Sequence, residues 1–209
     1  MSKYFDHVVG LDYSRAFIQL AEEVKASGAA AFNNKRPKVP YCAPVQGELT
    51  ESREVSAPRN TFPERCAFVV GDAMHLFPED PDVAPGSYTV PDGASFDGVL
   101  CVNLLDRVPD PMVVLRSFAR LLQRRGVLVL CDPYSWTETA TPKSKWLGAV
   151  PEGSDSGNAF AGRRSEDVVK EVLSADFELQ TETEEPFLIR DHVRHYQLGF
   201  SHCTVWIRK

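Results

Sequence analysis

The chain has 209 residues, about the size of one domain that can bury a sizeable core. Its 43% hydrophobic and 25% charged residues are ordinary for a globular protein, and a formal net charge of -6 argues against a mainly electrostatic attachment to nucleic acid or to an anionic membrane. No apolar stretch approaches the roughly 20 residues that span a bilayer, and MSKYFDHVVGLD lacks a signal-peptide core, so a cytoplasmic location is expected.

The first element follows a few residues that read as the tail of a helix. His7-Val8-Val9-Gly10-Leu11-Asp12 is a short apolar run ending in an acid, the pattern of a buried strand. Ser14 is placed to cap a helix whose apolar positions are Phe17, Leu20, Ala21 and Val24, with Gly28 as its stop. Residues 29–63 carry five prolines and little periodicity and read as a long insertion. Cys66–Val70 is a second strand, leading into Gly71-Asp72-Ala73. Residues 78–95 form a second insertion, rich in proline and glycine.

Phe96–Val102 is a third strand, ending at Asn103. Asp110-Pro111 opens a helix with proline at its first position and an apolar face of Val114, Leu115, Phe118, Leu121 and Leu122. Arg124 and Arg125 are expected to close it, as cations in a last turn complement the helix dipole. Val127–Cys131 is the fourth strand and leads into Asp132-Pro133-Tyr134-Ser135-Trp136. Ser165 is expected to cap a helix through Val168, Val169 and Val172, and two strands are expected near Phe177–Thr183 and Cys203–Arg208. Alternation of apolar strands with helices indicates an α/β fold with a doubly wound parallel sheet. The whole chain, 1–209, reads as a single domain. Cys42, Cys66, Cys101, Cys131 and Cys203 are scattered, with no CxxC pair, which fits free thiols in a reducing compartment better than a disulfide framework.

Ligands of such sheets sit beyond the carboxyl ends of the strands, so chemistry is expected there. Asp12 can accept hydrogen bonds from both hydroxyls of a ribose, and Asp72 can accept from an adenine amino group; each can equally be a turn or cap acid. His192 and His195, with Asp191, have a spacing that places two imidazoles together, but no further ligand spacing accompanies them, so no metal site is expected.

GLDYS, VVGDA, VNLLDRV followed by DP, and GVLVLCDPYSW resemble successive motifs of the class I S-adenosylmethionine-dependent methyltransferases. More narrowly, FDHVVGLDYSRAFI, GELTESREVS, NLLDRVPDP, DPYSWTE with KWLG, and PFLIRDHVRHYQ resemble the C-terminal methyltransferase domain of ovothiol-biosynthesis enzymes, which methylate an imidazole nitrogen of 4-mercaptohistidine. The resemblance runs from Phe5 to Arg208 and implies a Rossmann-like methyltransferase sheet. It implies S-adenosylmethionine as cofactor, held by Asp12, Tyr13, Ser14, Gly71, Asp72, Ala73, Asn103 and Leu104. It also implies a small histidine-derived thiol as substrate, bound by Asn103, by Tyr134 and Trp136 as aromatic walls, and by Arg190 on the carboxylate. Methyl transfer is an in-line displacement governed by positioning, so no catalytic acid or base is expected.

One motif of that family is missing. Complete members begin with a strand, a glycine-rich turn and a helix, yet no GxG occurs in these 209 residues. The domain is therefore expected to be N-terminally incomplete. Three readings remain: a truncated product of an active parent, a strand supplied by a partner chain or domain, or a non-catalytic binding module. On the first and third, the isolated chain is expected to bind the cofactor weakly or not at all.

Overall fold

The computed structural model describes residues 1–29 and 38–209; residues 30–37, part of the first expected insertion, lie outside the described residues. The chain folds as two compact units, residues 1–91 with 190–196 and residues 92–189 with 197–209.

In the first unit, β1 (Val8–Asp12) pairs in parallel with β4 (Cys66–Val70), in a register running from Val8 opposite Cys66 to Asp12 opposite Val70. Parallel strands need a crossover, and α1 (Arg15–Ala29) supplies one. Ser14 starts it as expected, its Oγ accepting the Phe17 amide at 3.3 Å. The face expected to be core is less covered than its spacing implies. Phe17 and Leu20 are 65% and 40% exposed.

The first insertion is not irregular throughout. β2 (Val39–Gln46) and β3 (Leu49–Val55) form an antiparallel hairpin. Its tight turn is made possible by Gly47, whose φ of 54° is costly for a residue with a Cβ. The prolines that argue against a strand are at positions 40 and 44, in a two-stranded sheet where both strands are edges and a missing donor is tolerated.

In the second unit, β5 (Phe96–Val102) and β6 (Leu122–Asp132) pair in parallel, connected through α2 (Pro111–Leu121). Asp110 caps α2, its Oδ1 accepting the Met112 amide at 3.2 Å. α3 (Ser165–Leu173) follows, then β7 (Phe177–His192) and β8 (His195–Arg208), both longer than the sequence signals. The order is β5-β6-β8-β7, with β8 antiparallel to β6. The architecture is thus α/β with parallel strands as expected, although β1–β4 and β5–β6 belong to separate sheets and the last pairing is antiparallel.

One face of the larger sheet carries Leu128, Leu130 and Trp206, each at most 1% exposed. α2 packs on β5 and β6 through Val114, Leu115, Phe118 and Leu121, and against α3, whose Val168 and Val169 have no exposed surface. Each such aliphatic side chain contributes roughly 1.5–3 kcal/mol by leaving water. The other face is open. Leu100 and Val102 on β5 are 50% and 49% exposed.

Several local expectations need correction. Arg124 and Arg125 do not end α2: the helix stops at Leu121, because Leu122 is extended, fully buried and paired with Phe96. Both arginines lie in β6, Arg125 with a φ of 64°. Ser165 does not cap α3 with its side chain; it is the first helical residue, and its hydroxyl accepts the Trp136 indole N–H at 2.9 Å. Cys131 and Cys203 are not free thiols. They face each other across β6 and β8 and form a disulfide, with Cα atoms 4.0 Å apart. Among the described residues no helix is long and apolar enough to cross a membrane.

Candidate functional site

Asp12 and Asp72 stand at the carboxyl ends of the neighbouring strands β1 and β4, because the parallel register brings both ends level. The Gly71 amide donates to the Asp12 carbonyl at 3.1 Å and ties the two ends together. Asp12 Oδ1 accepts the Ser14 amide at 2.7 Å, which fixes the carboxylate, while its Oδ2 has no hydrogen-bond partner among the described residues. Asp12 lines a cleft of about 280 Å³ with Gly10, Leu11, Phe17 and Ile18. A half-buried acid with one unengaged oxygen beside a cleft suits a vicinal diol.

Asp72 is committed differently. Its Oδ1 accepts the Met74 amide at 2.9 Å and its Oδ2 lies 3.2 Å from His75 Nδ1. Both oxygens are thus engaged by the following turn, the behaviour of a turn acid. Gly71 is buried and Ala73 half-buried. A Cβ on Gly71 would meet Leu11 Cδ1 at 2.7 Å. Tyr13 points outward and is 78% exposed.

Arg190 belongs to this first unit too. Its Nη2 lies 3.5 Å from Glu51 Oε1 and donates to the Pro44 carbonyl at 3.4 Å. The guanidinium expected to grip a substrate carboxylate is thus held by the β2–β3 hairpin. His195 Nδ1 is 2.6 Å from Asp191 Oδ2, and the rings of His192 and His195 stack with centroids 5.7 Å apart.

The second unit holds Asn103, Leu104, Tyr134 and Trp136. Asn103 and Tyr134 follow the ends of β5 and β6, with left-handed φ angles of 52° and 51°. Such angles in residues other than glycine concentrate at functional turns. Asn103 Oδ1 accepts the Ser201 hydroxyl at 2.7 Å, and the Asn103 amide donates to the Cys131 carbonyl. Leu104 is half-buried at the N-terminal side of a short 3-10 turn. Tyr134 stacks on Trp136 (6.4 Å, 22°) and Trp136 on Trp146 (6.3 Å, 18°), an aromatic ladder in which Trp136 is also pinned through Ser165.

Behind this ladder lie groups that sequence reasoning missed. Asp106 and Asp132 have no exposed surface. Tyr134 Oη lies 3.0 Å from His202 Nδ1, and His202 Nε2 lies 2.8 Å from Glu182 Oε1. The sequence contains one partial signal, since Asp132 and His202 each occupy an inward position of a strand. Nothing in it connects Glu182 to either.

A family model described as a methyltransferase domain matches residues 1–178. Among solved structures, an S-adenosylmethionine-dependent methyltransferase from Methanosarcina mazei is 18% identical, with a TM-score of 0.51, 99% of this chain and 84% of that one being covered. A protein solved in work on the conversion of a disulfide bond into a thioacetal group during echinomycin biosynthesis is 14% identical, with a TM-score of 0.52, covering 100% of this chain and 68% of that one. At these identities the likeness is one of fold. No curated protein sequence matches the chain.

Proposed function

We propose, starting from a chain that belongs to the methyltransferase-domain family, that it is an S-adenosylmethionine-dependent methyltransferase domain for a small azole, of which 4-mercaptohistidine is the candidate. The observation that carries the cofactor reading is Asp12, which lines a cleft at the end of β1 and is fixed there by the Ser14 amide on its Oδ1. When bound, such a cofactor supplies an electrophilic methyl group on a sulfonium. Asp12 would hold its ribose hydroxyls. Asp72 contributes less than its motif implies, because Met74 and His75 already occupy both of its oxygens. Tyr134, Trp136 and Asn103 would bound the substrate.

A second reading concerns completeness. Among the described residues β1 pairs only with β4, and β5 only with β6, so each has one edge with unpaired backbone groups. Leu100 and Val102 beside the β5 edge are half-exposed. These features favour a strand supplied from outside these 209 residues, from the same protein or a partner, over a binding module that has closed its sheet.

Calorimetric titration of the 209-residue chain with S-adenosylhomocysteine tests both. Weak binding, at high micromolar or above, that Asp12→Ala reduces by roughly tenfold or more is expected, since a charged hydrogen-bond acceptor is lost. Equal binding by Asp12→Ala would end the ribose assignment. Tight micromolar binding by the chain alone would overturn the supplied-strand reading.

A further inference from the structure

Three contacts join side chains from β7, β8, α3 and the loop after β6 into one line. Tyr134 Oη is 3.0 Å from His202 Nδ1, His202 Nε2 is 2.8 Å from Glu182 Oε1, and that oxygen is 3.0 Å from Lys170 Nζ. Lys170, and after it His202, hold the Glu182 carboxyl below its usual range, so it acts as an acceptor. His202 Nε2 therefore donates to Glu182, and Nδ1 is left to accept from the Tyr134 hydroxyl. Burial, and then the Asp132 carboxyl, push the Tyr134 phenol upward, so it keeps its proton. His202 is buried and Tyr134 half-buried, while Glu182, beyond His202, is 41% exposed and opens the line to water.

The backbone aims Tyr134 deliberately. Asp132 and His202 are direct partners across β6 and β8. Asp132 Oδ1 accepts the Tyr134 amide at 2.9 Å, and the left-handed φ of 51° turns the loop so that the phenol reaches back to His202. Such a conformation costs of order 1 kcal/mol or more and persists only where its surroundings impose it.

We propose that Tyr134, His202 and Glu182 form a relay that takes the proton an azole substrate releases as its ring nitrogen is alkylated. The inference rests on the methyl-transfer reading above. One azole nitrogen forms its bond to the methyl carbon as the carbon–sulfur bond breaks, with that electron pair remaining on sulfur. The other azole nitrogen becomes acidic, and its proton passes to Tyr134 Oη while the phenol's own proton moves to His202 Nδ1. The positive charge lost from sulfur ends on His202, beside Glu182, and leaves as a proton to water. Tyr134 is the catalytic residue here; His202 and Glu182 act through it.

The experiment is nitrogen-15 NMR of the full 209-residue chain labelled at histidine, with 4-mercaptohistidine added to millimolar concentration. The expected resting state of His202 is protonated at Nε2 and accepting at Nδ1. Tyr134→Phe should shift the Nδ1 signal alone, and Glu182→Gln, which preserves volume, should weaken the preference for that tautomer. The probe should move the Nδ1 signal in the parent protein and not in Tyr134→Phe. Protonation at Nδ1, or a His202 signal that the probe leaves in place, overturns the relay. In turnover, Tyr134→Phe should lower kcat about a hundredfold with little change in KM; a kcat within about twofold of the parent overturns it. Loss of the His202 response with S-adenosylhomocysteine still bound removes the relay and leaves the cofactor reading standing. The opposite pattern removes the cofactor reading, and the alkylation step with it, while the azole contact remains.

Discussion

Asp106 and Asp132 each hold the loop of the other. Asp132 Oδ2 accepts the amide of Leu105 at 2.8 Å, and Asp106 Oδ2 accepts the amide of Ser135 at 2.9 Å. This reciprocal pair, without exposed surface, binds the end of β5 to the end of β6 and so fixes where Asn103 and Tyr134 stand. Asp106 Oδ1 has no hydrogen-bond partner, a cost that a buried polar atom bears only where the arrangement is held from several sides.

The pair should make stability depend on pH. Burial, and then the neighbouring Asp106, raise Asp132 from 3.8 to about 7. Between those values the folded chain holds a proton that the unfolded chain releases, so stability is full at the acid end, falls as pH rises toward 7, and then levels off. Asp132→Asn should lower the melting temperature at pH 5 through its lost acceptor, yet flatten the decline between pH 4 and pH 7. Calorimetric scans across that range decide it, and an unchanged slope in the variant would assign the titration elsewhere.

The cap of α2 separates a hydrogen bond from an ion pair. Asp110 accepts the Met112 amide and also lies 2.8 Å from Lys145, whose side chain is 54% exposed. Asp110→Ala should cost about 1 kcal/mol, the usual loss for an N-cap. Lys145→Ala should cost less than about 0.5 kcal/mol, because an exposed ion pair is screened. Urea unfolding of both variants measures the difference, and equal losses would show that the pair, not the cap, carries the effect.

The disulfide should matter to stability. Cys131 and Cys203 are 72 residues apart in sequence, and in the chain-entropy description closing such a loop stabilises the fold by up to about 4 kcal/mol. Urea midpoints with and without reductant should differ accordingly. Equal midpoints, with the mass of the intact chain showing free thiols in both, would mean that the two cysteines pack together unbonded.

The open face of β5 should tolerate charge. Leu100 and Val102 are about half-exposed, so Leu100→Lys and Val102→Lys should change stability by less than about 0.5 kcal/mol. Self-association at high protein concentration, followed by sedimentation, should fall, because exposed apolar patches drive it. A loss of several kcal/mol in either variant would mean that this face is covered in solution.

The local signals were sound where they depended on near neighbours. Val114, Leu115, Phe118 and Leu121 recur at helical spacing, and Asp110-Pro111 both caps and starts α2, so its start and inner face were readable from the chain. Apolar runs ending in Asp12, Val70, Val102 and Cys131 likewise marked strands and pointed to the residues just beyond them. The β2–β3 hairpin was hidden by prolines that an edge strand accepts, and the Arg124-Arg125 pair looked like a helix end because Leu122 belongs equally well to either element.

Amino-acid order by itself determined the α/β alternation, the carboxyl ends of β1, β4 and β5 that lead to the candidate site, and the methyltransferase motifs, but not the start of β6. Tertiary structure decided the partners. Tyr134 meets His202 across 68 residues and Cys131 meets Cys203 across 72, through the antiparallel register of β6 and β8. The physical reason is range: caps and periodicity act over one or two turns, whereas strand register is set by burying a whole sheet face at once, and no short stretch of the chain encodes it.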